Sequence, residues 1–300
     1  MEIRQLEHFA AVAEEQSFTR AARRLNYVQS ALSVSIQSLE RELGLRLFDR
    51  DTRRVALTDA GEALLPAAHQ TLASVEQTRD VAAELKGVVR GTLRIGIMQS
   101  LGFLDVPALL SELHRRHPDV EIQMRRPPGG SVALLEELHR GGIDIAFASV
   151  IDDPADLDIA ELGTEELYLV GARQLMPARR KTVNLTDLGE TTFVDFPAGW
   201  GVRAVVDRAF AAAGVSRRVT IEVADVSLYL QLLDAQLGVA ISPRSLLPAN
   251  HPFEIRRLEP PISWRVVMAL ASRRPPRAAA RAFARLALDG QAEHDRRPPR

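Results

Sequence analysis

Through the first fifty residues apolar side chains recur every three or four positions, the period of one helical face. Ile3, Leu6, Phe9 and Val12 predict a first helix. Ser17 suits the amino-terminal cap of a second, which carries Phe18, Ala21, Ala22 and Leu25. After a break at Asn26-Tyr27, Leu32, Ile36, Leu39 and Leu43 predict a third helix from Gln29 or Ser30 to Glu42. These four fall within about 60° of one another on the helical wheel. Ser30, Ser33, Val34, Gln37 and Arg41 fall on the opposite side, and Gly44 is placed to end the helix. Two short β-like pieces, residues 45–48 and 53–57, flank a polar turn and complete a winged helix-turn-helix pattern. Thr58 then caps a helix reaching about Lys86, with Asp59 and Glu62 in its first turn, where the helix dipole favours negative charge. Leu65, Ala68, Leu72, Val75 and Ala82 form its apolar stripe, interrupted by Arg79. Pairing with the same helix of a second copy would cover that stripe; packing against its own domain is the alternative.

From Thr92 the rhythm changes. Strands at residues 93–97, 120–124 and 144–148 alternate with helices at 106–117 and 131–140. That order implies a mostly parallel sheet with helices on both faces. A second round follows, with strands at 166–170, 192–196, 220–223 and 238–241 and helices at 201–213 and 227–236. Residues 264–270 read as a return strand and 277–288 as a last helix. The expected fold is therefore mixed: a winged helix-turn-helix over 1–58, a linker helix over 59–88, and an α/β region over 89–290. Residues 291–300 are expected to form a frayed tail.

A chain of 300 residues is about twice the usual domain size, which fits this division. Its 46% hydrophobic and 26% charged content excludes a disordered or collagenous chain. No run reaches the roughly 18 apolar residues that a membrane span needs. The amino end carries no basic-then-apolar leader, so a cytoplasmic protein is expected. The absence of cysteine excludes disulfides, thiolate nucleophiles and cysteine zinc sites.

The net charge of −1 conceals an uneven distribution. Only Lys86 and Lys181 are lysines, so the other 36 of the 38 basic residues are arginines. Between Arg20 and Arg54 eight arginines face four acids, a local balance of +4. One basic segment in a near-neutral chain fits a module that touches a polyanion. The major groove of DNA admits one helix, and small polar side chains on the third helix bring its backbone close to base edges. Gln29, Ser30, Ser33, Val34 and Gln37 are the candidate groove readers, while Arg20, Arg53 and Arg54 are candidates for phosphate contacts.

The runs Leu6-Glu7-His8-Phe9, Ser17-Phe18-Thr19-Arg20-Ala21-Ala22-Arg23-Arg24-Leu25, Gln29-Ser30-Ala31-Leu32-Ser33, Leu47-Phe48-Asp49-Arg50 and Leu57-Thr58-Asp59-Ala60-Gly61 closely resemble the LysR-type transcriptional regulators. The resemblance is dense over the first 61 positions. It continues more loosely through Gly91-Thr92-Leu93-Arg94-Ile95-Gly96, Gly142-Ile143-Asp144-Ile145-Ala146 and Gly238-Val239-Ala240-Ile241-Ser242-Pro243. It implies a two-lobed, periplasmic-binding-protein-like effector domain, with one lobe at about 91–161 and 266–290 and the other at about 162–265. It also implies a homodimer or homotetramer on a dyad-symmetric operator in double-stranded DNA, controlled by a small-molecule effector, with RNA polymerase as a further candidate partner. Family members often carry proline at position 30 and arginine at 34. Ser30 and Val34 stand there instead, which predicts a less guanine-dependent contact, with Val34 against a thymine methyl.

The resemblance places an anionic metabolite at Ser100 and Ser131, with Phe196 and Trp200 shaping an apolar wall; Ser227 lies at another strand-to-helix crossover. Plain helix capping explains the serines equally well. His114 and His117 approach metal spacing but adjoin Arg115 and Arg116, so no metal is assigned, and no cofactor. No nucleophile elbow, phosphate loop or catalytic set is present. The rival reading is a solute-binding or enzymatic α/β domain with an incidental helical leader.

Overall fold

The computed structural model describes residues 1–49, 55–85, 88–98, 101, 104–177, 181–272 and 276–294. Packing divides the chain into two compact units, one of Met1–Val88 and Arg140–Gly142, the other of Val89–His139 and Ile143 onward.

The first unit opens with α1 (Ile3–Glu15), α2 (Phe18–Arg24) and α3 (Gln29–Leu43). The Ser17 hydroxyl accepts from the Arg20 N–H at 3.3 Å, so the predicted cap starts α2. Gly44, at φ +68°, ends α3 in the left-handed conformation that lacks a Cβ penalty. Leu6, Phe9, Val12, Ala21, Ala22, Leu32, Ile36 and Leu39 form one core with Leu47 and Phe48. The Phe48 ring stands edge-on to Phe9 and Phe18, 5.6 Å from each. Ile3, expected inside, lies in the first turn of α1 and is 44% exposed. The ribbon is shorter than its pattern, with β1 (Phe48–Asp49) antiparallel to β2 (Ala56–Leu57). Glu40 on α3 holds its base, accepting from the N–H groups of Leu47 at 2.9 Å and Phe48 at 3.3 Å.

The linker helix α4 spans Asp59–Glu84. The Thr58 hydroxyl accepts from the Gly61 N–H at 3.1 Å and donates to the Arg46 carbonyl at 2.6 Å, fixing the helix start to the ribbon. The coverage of its stripe differs between its halves. Ala68 is buried in the first unit's core and Leu64, Leu65 and Leu72 pack against it, so the first half is covered by its own domain. Intersubunit pairing is not needed there. In the far half Ala82 is exposed, and Leu85, just beyond the helix, is 85% exposed.

Glu14 ties three helices together at this junction. Its carboxylate lies 3.3 Å from His69 Nε2 on α4 and 2.6 Å from an Arg24 guanidinium nitrogen on α2. The approach of His69, then of Arg24, outweighs burial and holds the Glu14 pKa down at about 2. A carboxylate depressed in the folded state stabilises fully above its ordinary value near 4.5 and stops doing so as pH falls toward 2. Solvent reaches much of the pair, so about 1 kcal/mol is involved. Glu14→Gln should therefore lower stability by about that amount at pH 7 and flatten the acid limb of a denaturation series between pH 4.5 and 2. Equal slopes for the two proteins would contradict the assignment.

The second unit runs β3 (Gly91–Ile97), α5 (Val106–Arg116), β4 (Val120–Arg125), α6 (Gly130–Arg140), β5 (Ile145–Ser149), β6 (Leu157–Gly171) and β7 (Thr182–Asn184). It continues with β8 (Thr192–Asp195), α7 (Gly201–Ala212), β9 (Arg218–Glu222), α8 (Val226–Asp234), β10 (Ala240–Pro243), β11 (Glu254–Ala271) and α9 (Ala278–His294). Short 3₁₀ turns at Arg173–Leu175, Leu185–Leu188 and Arg244–Leu246 carry no sequence periodicity and were not expected.

The main sheet has the order β10-β6-β11-β5-β3-β4, with β7 on β11 and β8–β9 as a separate pair. Its expected parallel character holds only locally. β3 is parallel to β4 and β5, but β11 is antiparallel to β5 and β6, and β10 to β6. The cause is a long central pair of 15 and 18 residues, β6 and β11, whose ends alone showed as strands at 166–170 and 264–270. Charged and proline residues at their middles (exposed Glu161, Glu259 and Pro260, half-buried Glu165) break the alternation a strand reading needs. Buried Asp144, immediately before β5, accepts from the Arg94 N–H at 2.8 Å and faces Arg277 at 3.5 Å, joining β3, β5 and the approach to α9. α9 extends to His294, into the segment expected to fray; residues 295–300 lie outside the described residues.

Candidate functional site

The buried face of α3 determines what its other face offers. Leu32, Ile36 and Leu39 are sunk in the core, so Gln29, Ser30, Val34 and Gln37 are left exposed, and Ser33 half-exposed at the boundary. Val34 is 63% exposed, an apolar group presented to solvent in the middle of a polar face. Tyr27 and Val28, immediately before the helix, are exposed as well. Arg20 is exposed but engages Glu15, whose carboxylate lies 3.4 Å away and whose carbonyl it also meets. Arg53 and Arg54 lie outside the described residues.

The face is anchored from below by His8, which sequence reading passed over because it interrupts an apolar run. His8 is buried on α1, its Nδ1 lies 2.8 Å from the Ser35 hydroxyl on α3, and its ring meets the Tyr27 ring edge-on at 4.8 Å.

In the second unit a pocket partly open to solvent, with about 370 Å³ of empty space including its mouth, is lined by Met98, Phe196, Trp200, Gly201, Val202, Val226, Pro243, Leu246 and Trp264. It sits where β3 ends, α7 and α8 begin and β11 passes, the crevice position expected for open α/β sheets. Two expected residues, Phe196 and Trp200, line it. Their rings stack at 5.0 Å and 15°, and Phe196 stacks in turn on buried Tyr229 at 4.3 Å and 23°. Ser131 is buried nearby with its hydroxyl accepting from the Ser149 N–H at 2.9 Å, so it ties α6 to β5 rather than lining the cavity. Ser227 is exposed in the first turn of α8, and its neighbour Val226 takes the lining position. Ser100 lies outside the described residues. Met98 and Trp264 were missed; the signal for Trp264 was a tryptophan inside a predicted strand, one of only two in the chain.

Two glycines permit close approach here. A Cβ on Gly201 would stand 2.3 Å from the Ser149 Cβ. One on Gly130, at φ +63°, would stand 2.8 Å from the Trp200 Cα. The amino ends of α6 and α7 therefore meet with no side chain between them.

Comparison with known proteins decides what these two sites belong to. Residues 3–62 match the family described as bacterial regulatory helix-turn-helix protein, lysR family, and residues 86–292 match the LysR substrate binding domain. The HTH-type transcriptional regulator ShiR of Corynebacterium glutamicum is 39% identical over 247 residues, 81% of this chain and 82% of that protein. The chain belongs to the LysR family. The transcriptional dual regulator GltC of Bacillus subtilis is 31% identical over 84% of each chain. The crystal structure of CbnR, a LysR family transcriptional regulator, is 25% identical with a TM-score of 0.64, over 97% of this chain and 99% of that one. This LysR-family chain is thus a DNA-binding transcription regulator with a helix-turn-helix domain and an α/β effector-binding domain. Among the described residues, no helix is long and apolar enough to cross a membrane.

In this regulator the effector-domain aromatics rest on a charged cluster. The Asp195 carboxylate accepts from the Phe196 N–H at 2.7 Å, while Arg203 donates to the Phe196 carbonyl at 2.9 Å. Arg203 also reaches Asp207 at 2.7 Å and Glu222 at 3.0 Å. Arg217, buried over the Phe193 and Phe210 rings at 5.6 Å, pairs with Asp195 and with Asp207. Burial pushes the Asp195 carboxyl up from its ordinary 3.8, against the pull of Arg217 and the Phe196 N–H. Both polar groups of the Phe196 backbone are thereby clamped between opposite charges.

Two outcomes follow from these arrangements. Asp195→Asn leaves Arg217 short of a carboxylate in a buried setting and should cost about 3 kcal/mol in chemical denaturation; a loss below about 0.5 kcal/mol would show that the cluster does not hold the fold. Burial holds the His8 pKa below 6.5, so charging His8 opposes folding. Stability from this group is complete above pH 6.5 and is lost as pH falls through its folded value. Thermal melts of the protein between pH 7.5 and 5.5 should decline more steeply than those of His8→Phe; parallel curves would exclude a buried neutral imidazole.

Proposed function

We propose that this regulator reads a dyad-symmetric operator in the cytoplasm as a homodimer or homotetramer, and that a small anionic metabolite in the aromatic-lined pocket of the second unit switches it. The observation that carries the reading is the outer face of α3, polar and uncovered around Val34 while the opposite face is fully consumed by the core. Gln29, Ser30, Ser33 and Gln37 hydrogen-bond base edges, and Val34 packs on a thymine methyl. Arg20, Arg53 and Arg54 contact phosphates and set the salt dependence. The exposed apolar far half of the linker helix, around Val81 and Leu85, supports pairing between copies, which spans two half-sites. Effector binding changes the promoter only through a difference in affinity between two arrangements of the effector domain, and transcription then responds through RNA polymerase. Residues 1–58, 59–88 and 89–290 serve these three tasks, the last as two lobes at about 91–161 with 266–290 and about 162–265.

A mobility shift on DNA upstream of the protein's own gene tests the first part. Ser33→Glu should weaken specific binding by at least about 100-fold, two tenfold steps of roughly 1.4 kcal/mol each, with the circular dichroism spectrum unchanged. A normal footprint from that variant would overturn the assignment of α3. Leu85→Glu should reduce the mass seen by sedimentation at micromolar concentration, and an unchanged mass would remove the far linker from the interface.

A further inference from the structure

The outer face of α3 has a second support besides its apolar core, and that support is polar. His8 on α1 is 3% exposed, yet its imidazole reaches the helix at two places. Nδ1 lies 2.8 Å from the hydroxyl of Ser35 in the second turn of α3, and the ring stands edge-on to Tyr27, just ahead of the helix, at 4.8 Å. Ser35 sits between exposed Val34 and fully buried Ile36, on the flank where the inner side of the helix turns into the outer one. Val28 at the cap position makes no side-chain bond to the first turn, so the start of α3 has no cap of its own.

A hydrogen bond fixes rotation in a way that apolar packing does not. Side-chain tips lie about 6 Å from a helix axis, so a turn of about 20° carries them roughly 2 Å sideways. Hydrogen bonds to base edges tolerate only a few tenths of an ångström, and a helix free to turn by that amount loses them. Contacts of exposed arginines with phosphates are less demanding and carry no sequence information.

Only a neutral imidazole suits the place. Burial lowers the His8 pKa, while Glu7 and Arg4 of its own helix pull in opposite directions. From α3 and the residues ahead of it the ring meets the uncharged Ser35 hydroxyl and the Tyr27 ring. The charged groups that α2 and α4 turn toward α1, Arg24 and His69, meet Glu14 instead, and Glu42 of α3 meets the amino terminus. A proton on His8 therefore brings a buried charge with no carboxylate against it among the described residues, and it bars Nδ1 from accepting.

Taking as given that the outer face of α3 reads DNA, we infer that His8 is a positioning residue for that reading: its neutral imidazole, through Ser35 and Tyr27, holds α3 in the rotation that discriminates between sequences, and protonation releases it. Discrimination between sequences is then lost in mild acid while attachment to DNA persists.

A duplex selected from a random library by the full-length protein at pH 7.5 is the specific probe, and a scrambled duplex of equal length and composition is the non-specific one. Fluorescence anisotropy at constant ionic strength gives the ratio of the two affinities from pH 7.5 to 5.5, with near-ultraviolet circular dichroism recorded at each pH. For the unaltered protein the ratio should fall by at least about tenfold, a step of roughly 1.4 kcal/mol, while binding to the scrambled duplex does not weaken. His8→Phe keeps a ring against Tyr27 and removes the tie to Ser35; its ratio should already be low at pH 7.5 and then stay flat. His8→Asn carries an amide oxygen near the place of Nδ1 and does not titrate, so it should recover most of what His8→Phe loses and hold it down to pH 5.5. Ser35→Ala should lower the ratio at pH 7.5. A pH slope that persists undiminished in His8→Phe would belong to another histidine, such as His69, and would overturn the role given to His8. So would full discrimination by His8→Phe at pH 7.5, or a parallel loss of both affinities in the unaltered protein. Failure to select any duplex at pH 7.5 would instead overturn the reading of α3 on which this role rests.

Discussion

The clamp on the Phe196 backbone is the constraint on which the effector domain depends. A residue at the carboxyl end of β8 has one free N–H and one free carbonyl to place, because the strand pairing stops there. Asp195 takes the first and Arg203 the second. With the backbone held at both groups, the phenyl ring stacks on both Trp200 and Tyr229. The charges are expensive to bury, and they persist because Arg217, Asp207 and Glu222 complete the set. Asp195 is the member that matters most, because it is buried against both arginines, whereas Asp207 and Glu222 are half-exposed and water can replace part of what they give.

The DNA-binding unit follows the opposite logic, in which an apolar core disposes polar groups outward. Three short helices bury little surface of their own, and the first half of α4 supplies the missing layer through Ala68, Leu65 and Leu72. The linker is therefore part of the domain it leaves. The outward side of α3 is free because Leu32, Ile36 and Leu39 consume the inward side, and the His8–Ser35 contact pins its rotation.

Legibility in the sequence tracked the range of the forces involved. The three amino-terminal helices, the Ser17 cap and the Gly44 stop were readable because each rests on contacts within a few residues. So were Phe196 and Trp200, which sit directly after a strand with a clear apolar run. The long strands β6 and β11 were not, since their middles carry Glu161, Glu165, Glu259 and Pro260 and are held by pairing across about a hundred residues. The partners of Arg203 were invisible for the same reason: Glu222 and Asp195 approach it only after folding. Ser131 stood open between a cap and a ligand contact because a serine at a helix start looks alike in either role; its tie from α6 to the end of β5 spans 18 residues, beyond any local pattern.

That long pair has a mechanical consequence. Leu157–Gly171 and Glu254–Ala271 run side by side as one continuous ladder, interrupted only by irregular register near Arg257 and Val266. Neither strand can slide past the other without giving up many ladder hydrogen bonds at once, so this pair fixes the register of segments about a hundred residues apart.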